Sequence, residues 1–230
     1  MKHPDVAFLA SAHALTELLP DDGREVAFVG RSNAGKSSAI NALSNRHKLA
    51  FVSKTPGRTQ TINFFSAGKN QRWVDLPGYG YAEVSGSAKN HWQHLLGRYV
   101  QARASLAALV LIMDARRPFT DLDIEMLEWF APTGKPIHCL LSKADKLNRS
   151  EQADALRLAR SVLGSYVDEH GTPLPFSVQL FSALKRIGLD EAERTICTLL
   201  QLDAGLSAEA PAAENEKSPG AQETPPGLKH

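Results

Sequence analysis

The chain has 230 residues, of which 43% are hydrophobic and 22% charged, and its net charge is +1. These proportions suit one globular domain with ends, and no window offers the roughly 18 uncharged apolar residues of a membrane helix. Asp5 interrupts any leader-like start, so no secretory signal is expected, and Cys139 and Cys197, far apart, are expected as buried thiols of a reducing cytoplasm rather than a disulfide or metal site.

In chain order, residues 1–22 read as an extension that packs on the main domain, residues 23–202. Val26–Gly30 is a buried strand, and a helix begins at Ser37–Leu43. Thr61–Ser66 and Arg72–Asp75 are strands joined through the turn Ala67-Gly68-Lys69-Asn70. Ala88–Ala104 is a helix candidate, with Trp92, Leu95, Leu96 and Tyr99 at helical spacing. Leu106–Met113 carries almost no polar group, as a strand covered on both faces requires. Helix Asp121–Phe130, strand Pro136–Leu141, helix Glu151–Leu163, strand Phe176–Phe181 and helix Leu189–Leu202 complete the pattern. The alternation predicts an α/β fold. Its sheet is mostly parallel and six-stranded, with one antiparallel strand from the hairpin and helices on both faces. Residues 203–230, rich in Ala, Pro, Glu, Gly and Ser, are expected as a disordered low-complexity tail.

Gly30-Arg31-Ser32-Asn33-Ala34-Gly35-Lys36-Ser37 satisfies the phosphate-loop pattern between a strand and a helix, where its mechanism needs it. Gly30 and Gly35 let the backbone curl so that N–H groups face phosphate oxygens, and the helix N-terminus adds partial positive charge. Lys36 can neutralise β- and γ-phosphate charge, and the Ser37 hydroxyl can ligate Mg2+. Asp75-Leu76-Pro77-Gly78 ends a strand: Asp75 can hold the metal through water, and Gly78 can donate its N–H to the γ-phosphate. Between the two lies Thr55-Pro56-Gly57-Arg58-Thr59-Gln60, followed by Thr61. Thr59 and Thr61 are both candidates to swing in and complete the metal shell.

Ser142-Lys143-Ala144-Asp145 follows a strand and is close to the [NT]-K-x-D guanine motif, with Ser in first position. One carboxylate can accept from guanine N1–H and the exocyclic amine, which adenine cannot match, so Asp145 chooses the base. The Lys143 stem can cover the purine, and Ser182-Ala183-Leu184 after the last strand can offer an N–H to guanine O6, with Phe181, Ser182 and Ala183 counted among the nucleotide-binding residues. A P-loop kinase is the competing class. The guanine motif and the lack of an evident Arg-rich lid argue against it; an ATPase is a third reading, which Asp145 argues against, and Tyr79 leaves open a scaffold that binds GTP without turnover.

Charge is unevenly spread. Residues 26–106 hold eleven Lys and Arg against Asp75 and Glu83, a net +9, which leaves −8 elsewhere. Part of the excess can serve a triphosphate; the remainder suggests a polyanionic partner. His91, Trp92 and His94 are better read as a packed Trp with solvated histidines than as an RNA contact.

The phosphate loop through Ser38, Thr55-Pro56-Gly57-Arg58-Thr59-Gln60, Asp75-Leu76-Pro77-Gly78-Tyr79-Gly80 and Ser142-Lys143-Ala144-Asp145 together resemble the EngB (YihA) bacterial GTPases of the TrmE–Era–EngA–YihA–septin-like group. The resemblance spans residues 5–202. It implies a P-loop NTPase fold of the Ras-like G-domain type, GTP and GDP as ligands, Mg2+ as cofactor and Thr59 as the switch ligand. It further implies a cytoplasmic, monomeric protein with no membrane contact. Its partners would be large-subunit ribosomal RNA or proteins, with links to cell division and septation. The catalytic set it implies is Lys36, Thr59, Gly78 and Asn33, the last through a K+ ion beside the phosphates. Tyr79 stands where Ras-type enzymes carry a water-orienting Gln, so slow hydrolysis is expected.

Overall fold

The computed structural model describes residues 5–46, 48–50, 61–80 and 96–202. Its strands are β1 (Ala7–Ala12), β2 (Arg24–Gly30), β3 (Ile62–Gly68), β4 (Gln71–Asp75), β5 (Leu106–Asp114), β6 (Ile137–Ser142) and β7 (Phe176–Leu180). The helices are α1 (Lys36–Leu43), α2 (helical at residues 96–102), α3 (Asp121–Phe130), α4 (Arg149–Gly164) and α5 (Leu189–Leu200). One sheet orders the strands β1-β3-β4-β2-β5-β6-β7. Only β3 runs against the rest, paired antiparallel to both β1 and β4, while β4, β2, β5, β6 and β7 are mutually parallel.

The seventh strand, beyond the six expected, is β1. Phe8 and Leu9 are exposed on it and only Ala12 is fully buried, so no alternating pattern betrays it. Its place comes from backbone pairing to β3 at the sheet edge. Cys139 is buried as expected, but Cys197 is only half-buried, because its position on α5 falls beside the buried stripe of Ala192, Ile196 and Leu200.

Successive side chains of the central strands enter opposite cores. Ala27, Val29, Leu109, Leu111, Cys139 and Leu141 face the layer with Met126 and Leu127 of α3 and Ala159 of α4. Val26, Phe28, Val110, Ile112 and Leu140 face Ile40 of α1 and Ile196 of α5. Both faces are dry, which is why β5 reads as an unbroken apolar run. The helix starts are encoded locally: Thr120 with Asp123, and Asn148 with Glu151, form reciprocal capping boxes. The carboxyl ends of β2, β4, β6 and β7 lie on one edge of the sheet, where open α/β folds bind ligands.

At the opposite edge a buried charge cluster ties the N-terminal segment down. The Glu25 carboxylate, fully buried, accepts from Arg103 Nε at 2.9 Å and Nη2 at 2.7 Å, from the Tyr99 hydroxyl at 2.7 Å and from Arg72 Nη1 at 3.2 Å. Arg103 also donates to the carbonyls of Leu19 and Pro20 at 2.8 and 3.1 Å. Asp21 accepts from the Ala104 and Ser105 amides at 2.9 and 2.7 Å. Strand β2, helix α2 and residues 19–22 thus share one network.

Candidate functional site

Residues 30–36 leave β2 and curl into α1. Asn33 has φ 63°, and Gly35, the residue before α1, has φ 101°, a conformation a Cβ would strain. Among the described residues no side chain caps α1, and the partial positive charge of its N-terminus falls at the loop. Lys36 Nζ forms an ion pair with the Asp75 carboxylate, and both side chains are almost wholly buried. An ammonium so placed, at the N-terminus of α1, can exchange its carboxylate partner for phosphate oxygens. Ser37 lies in the first turn of α1, and Ser38 lines the cavity described below.

The chain after β4 runs along this loop. Leu76 N donates to Phe28 O at 2.9 Å, Tyr79 N to Gly30 O at 3.3 Å and Ser32 N to Tyr79 O at 2.8 Å, and Arg31 pairs with Tyr79 as an isolated bridge. A Cβ added to Gly78 would lie 3.4 Å from Gly30 O, so its backbone abuts the phosphate loop. Leu76 and Pro77 are buried. The Tyr79 side chain turns away from this surface: its hydroxyl donates to Asp123 Oδ1 at 2.6 Å, and both residues are buried. Burial, then the Asp123 charge, push the phenol well above its ordinary value of 10. Thr61 O–H donates to Asn63 Oδ1 at 3.3 Å. Gly57, Arg58, Thr59 and Gln60, like His91, Trp92 and His94, lie outside the described residues.

The third segment, after β6, is bolted to the first. The Ser142 hydroxyl donates to the Ala34 carbonyl, and Lys143, itself at φ 57°, donates from Nζ to Asn33 O at 2.6 Å. Ser in the first motif position therefore still reaches the phosphate loop. Asp145 Oδ1 accepts from the Ser182 hydroxyl at 2.6 Å; this bond, opposed by slight burial and aided by Lys146, lowers the Asp145 pKa. Phe181 N donates to Leu141 O at 2.9 Å, and Ala144 N to Phe181 O at 3.1 Å, so the loops after β6 and β7 are fixed to each other. Between them and α1 opens a cavity of about 550 Å3, lined among others by Gly35, Asn41, Lys143, Asp145, Phe181 and Ala183.

Sequence reasoning missed Asp114 at the end of β5. It accepts from Lys143 Nζ at 3.0 Å and from Arg116 Nε and Nη2 at 2.9 and 2.7 Å. Burial opposes its ionisation, but these bonds prevail and hold the carboxyl far below the usual carboxylate range. A polar residue closing an apolar strand, two positions before an Arg, is the sequence signal that marked it.

Comparison with known proteins agrees with this geometry. Residues 25–143 match the family model described as 50S ribosome-binding GTPase. A probable GTP-binding protein EngB from Janthinobacterium sp. (strain Marseille) is 62% identical over 224 residues, covering 90% of this chain and 93% of the relative. That of Herminiimonas arsenicoxydans is 61% identical, covering 88% and 92%. Among solved structures, a probable GTP-binding protein engB superposes with TM-score 0.62 at 19% identity over 77% of this chain and 99% of its own. A point variant of Aquifex aeolicus Era, bound to GDP and AlF4−, gives 0.58 at 20% identity, covering 76% of this chain and 56% of its own; both likenesses concern the fold. With relatives this similar along nearly the whole length, the chain belongs to the EngB family of GTP-binding proteins and is a GTPase.

Proposed function

We propose that this GTPase is a Mg2+-dependent conformational switch acting in assembly of the large ribosomal subunit. The observation that supports it most is the Lys36–Asp75 pair beneath the curled loop, with the base loop fastened to the same loop through Ser142 and Lys143. Asp145 accepts from the two guanine donors, Ala183 donates to O6, and the Lys143 stem covers the ring.

A hydroxyl and a carboxylate are the hard oxygen donors that suit Mg2+, and Ser37 and Asp75 would hold it, with Thr59 joining them. Bound Mg2+ supplies charge neutralisation at the β- and γ-phosphates. When GTP enters, Lys36 leaves Asp75 for the phosphates, and the Gly78 N–H donates to the γ-phosphate. Water attacks the γ-phosphorus, the bond to the β–γ bridging oxygen breaks, and GDP and phosphate leave. Tyr79 is committed to Asp123, so no side chain at that position orients the water. Intrinsic turnover stays below about one per second until a partner or ion completes the site. Asn33 takes part through K+: equal hydrolysis rates in K+ and Na+ for both wild type and Asn33→Ala would refute this.

The ribosomal role is supported by the description of the matching family model and by the basic excess of residues 26–106. The protein works as a cytoplasmic monomer and serves cell division and septation through ribosome supply; residues 1–22 are an extension of its domain, of which 1–4, like the tail 203–230, lie outside the described residues. Sedimentation with purified large subunits tests the assignment. Co-sedimentation with a GTP analogue, lost with GDP, is expected; indifference to nucleotide or no association refutes it.

A further inference from the structure

Two buried polar residues on the α5 side of the sheet play no part in the site as described: His138 on β6 and Gln179 on β7. Gln179 Nε2 donates to Gly188 O at 2.7 Å and to Leu180 O at 3.3 Å. Two carbonyls on that side fix the amide's orientation, so Gln179 Oε1 must be the atom 2.9 Å from His138 Nε2. A carbonyl oxygen only accepts. His138 therefore carries its proton on Nε2, and Nδ1 accepts from the Ser177 hydroxyl at 2.8 Å. Burial lowers the His138 pKa, against the opposing effects of Gln179 and Glu191, and so favours this neutral form.

Gly188 is where the loop after β7 ends. The loop closes on itself, Ser182 N donating to Ile187 O at 3.0 Å and Ile187 N to Ser182 O at 3.1 Å. Its near end is held by Leu141 and Ala144 through Phe181. Its far end passes so close to β7 that a Cβ on Gly188, at φ +67°, would overlap the Leu180 carbonyl. Between these ends lie Ser182, which donates to Asp145, and Ala183, on the cavity wall. Without the Gln179 amide, Gly188 O keeps its bond from Ala192 N at 3.0 Å, so α5 still starts there, but the loop loses its side-chain tie to β7.

We infer that Gln179, oriented by His138, is a positioning residue for guanine recognition: it sets the loop that brings the Ala183 N–H to guanine O6. The inference rests on the base-pocket reading proposed above. Asp145 takes the Ser182 hydroxyl from this loop, but Ser182 follows directly on Phe181, at the end still held by Leu141 and Ala144, so loosening the far end at Gly188 affects Ala183 and O6 more than the two donors that Asp145 reads.

The test measures binding of GDP and 6-thio-GDP, which keeps both donors to Asp145 but replaces O6 by a weakly accepting sulfur. Gln179→Leu and His138→Leu should bind GDP about ten-fold more weakly and 6-thio-GDP within about two-fold of wild type. His138→Gln, which restores a donor to Gln179, should recover most GDP affinity. Single-turnover hydrolysis of saturating GTP should not change. Equal loss for both ligands, or unaltered GDP binding, overturns the inference. A wild type that fails to prefer GDP over ADP, or an Asp145→Asn variant that gains nothing for XDP, overturns the base-pocket reading and the inference with it. If those controls hold and the losses are still equal, the inference alone falls.

Discussion

Replacing Tyr79 by Phe removes one hydroxyl from a dry place. The lost bond is 2.6 Å long, and Tyr79 and Asp123 are each only 2% exposed, so water cannot substitute. A hydrogen bond to a charged acceptor is worth about 1.5–3 kcal/mol. Asp123 keeps Thr120 N at 2.9 Å and the Thr120 hydroxyl at 2.8 Å on its other oxygen, which places the loss near the middle of that range. About 2 kcal/mol is roughly a thirty-fold shift in the folding equilibrium, and about 4–8 °C in melting temperature for a chain of this size. Urea unfolding followed by circular dichroism measures it. The same geometry keeps the hydroxyl off the reacting water, so single-turnover GTP hydrolysis by the folded variant should stay within about three-fold of wild type. A stability loss below about 0.5 kcal/mol would refute the buried-bond argument. A ten-fold or larger fall in hydrolysis, at unchanged GTP affinity, would place the hydroxyl at the chemistry.

Lys36→Ala should weaken GTP binding by at least about a hundred-fold, because charge-assisted contacts to the β- and γ-phosphates are lost; equilibrium titration with a fluorescent, non-hydrolysable GTP analogue measures this. Glu25→Ala strands the Arg103 guanidinium, 5% exposed, and should cost about 3–5 kcal/mol in urea unfolding. The triple change Glu25→Met, Arg103→Met, Tyr99→Phe should recover at least about half of that. Asp21 has its pKa lowered from 3.8 to about 2: burial opposes this, but hydrogen bonds from Ser105 and Ala104 and the Arg103 charge outweigh it. Its folded pKa lies below the unfolded one, so its contribution is complete above 3.8 and vanishes as pH falls toward 2. The stability of Asp21→Asn should therefore fall less steeply over that window, as urea midpoints at several acidic pH values will report.

The parts of this molecule written in short sequence are legible. Phosphate loop, Asp75 to Gly78 and Ser142 to Asp145 each depend on a few consecutive residues between a strand and a helix or turn. The bounds of α3 agree to the residue, since Thr120 and Asp123 mark its start and Phe130 ends its apolar face. What stays hidden depends on partners distant along the chain. Glu25 meets Arg103 across 78 residues, and His138 meets Gln179 across 41. Neither residue type announces burial, because a Glu or a Gln enters a core only once its partners are there. Tyr79 is plain in its motif, yet the direction of its side chain comes from the packing of α3. β1 escapes notice because an edge strand held by backbone bonds needs no hydrophobic pattern.

Calorimetric titration of wild type and Asp145→Asn with GDP, XDP and ADP, magnesium present, probes the two-part grip directly. The account predicts heat with GDP and none with ADP for wild type, and a preference for XDP in the variant, whose amide can donate to the extra carbonyl of xanthine. Equal heats for GDP and ADP, or an Asp145→Asn protein still choosing GDP over XDP, would contradict it.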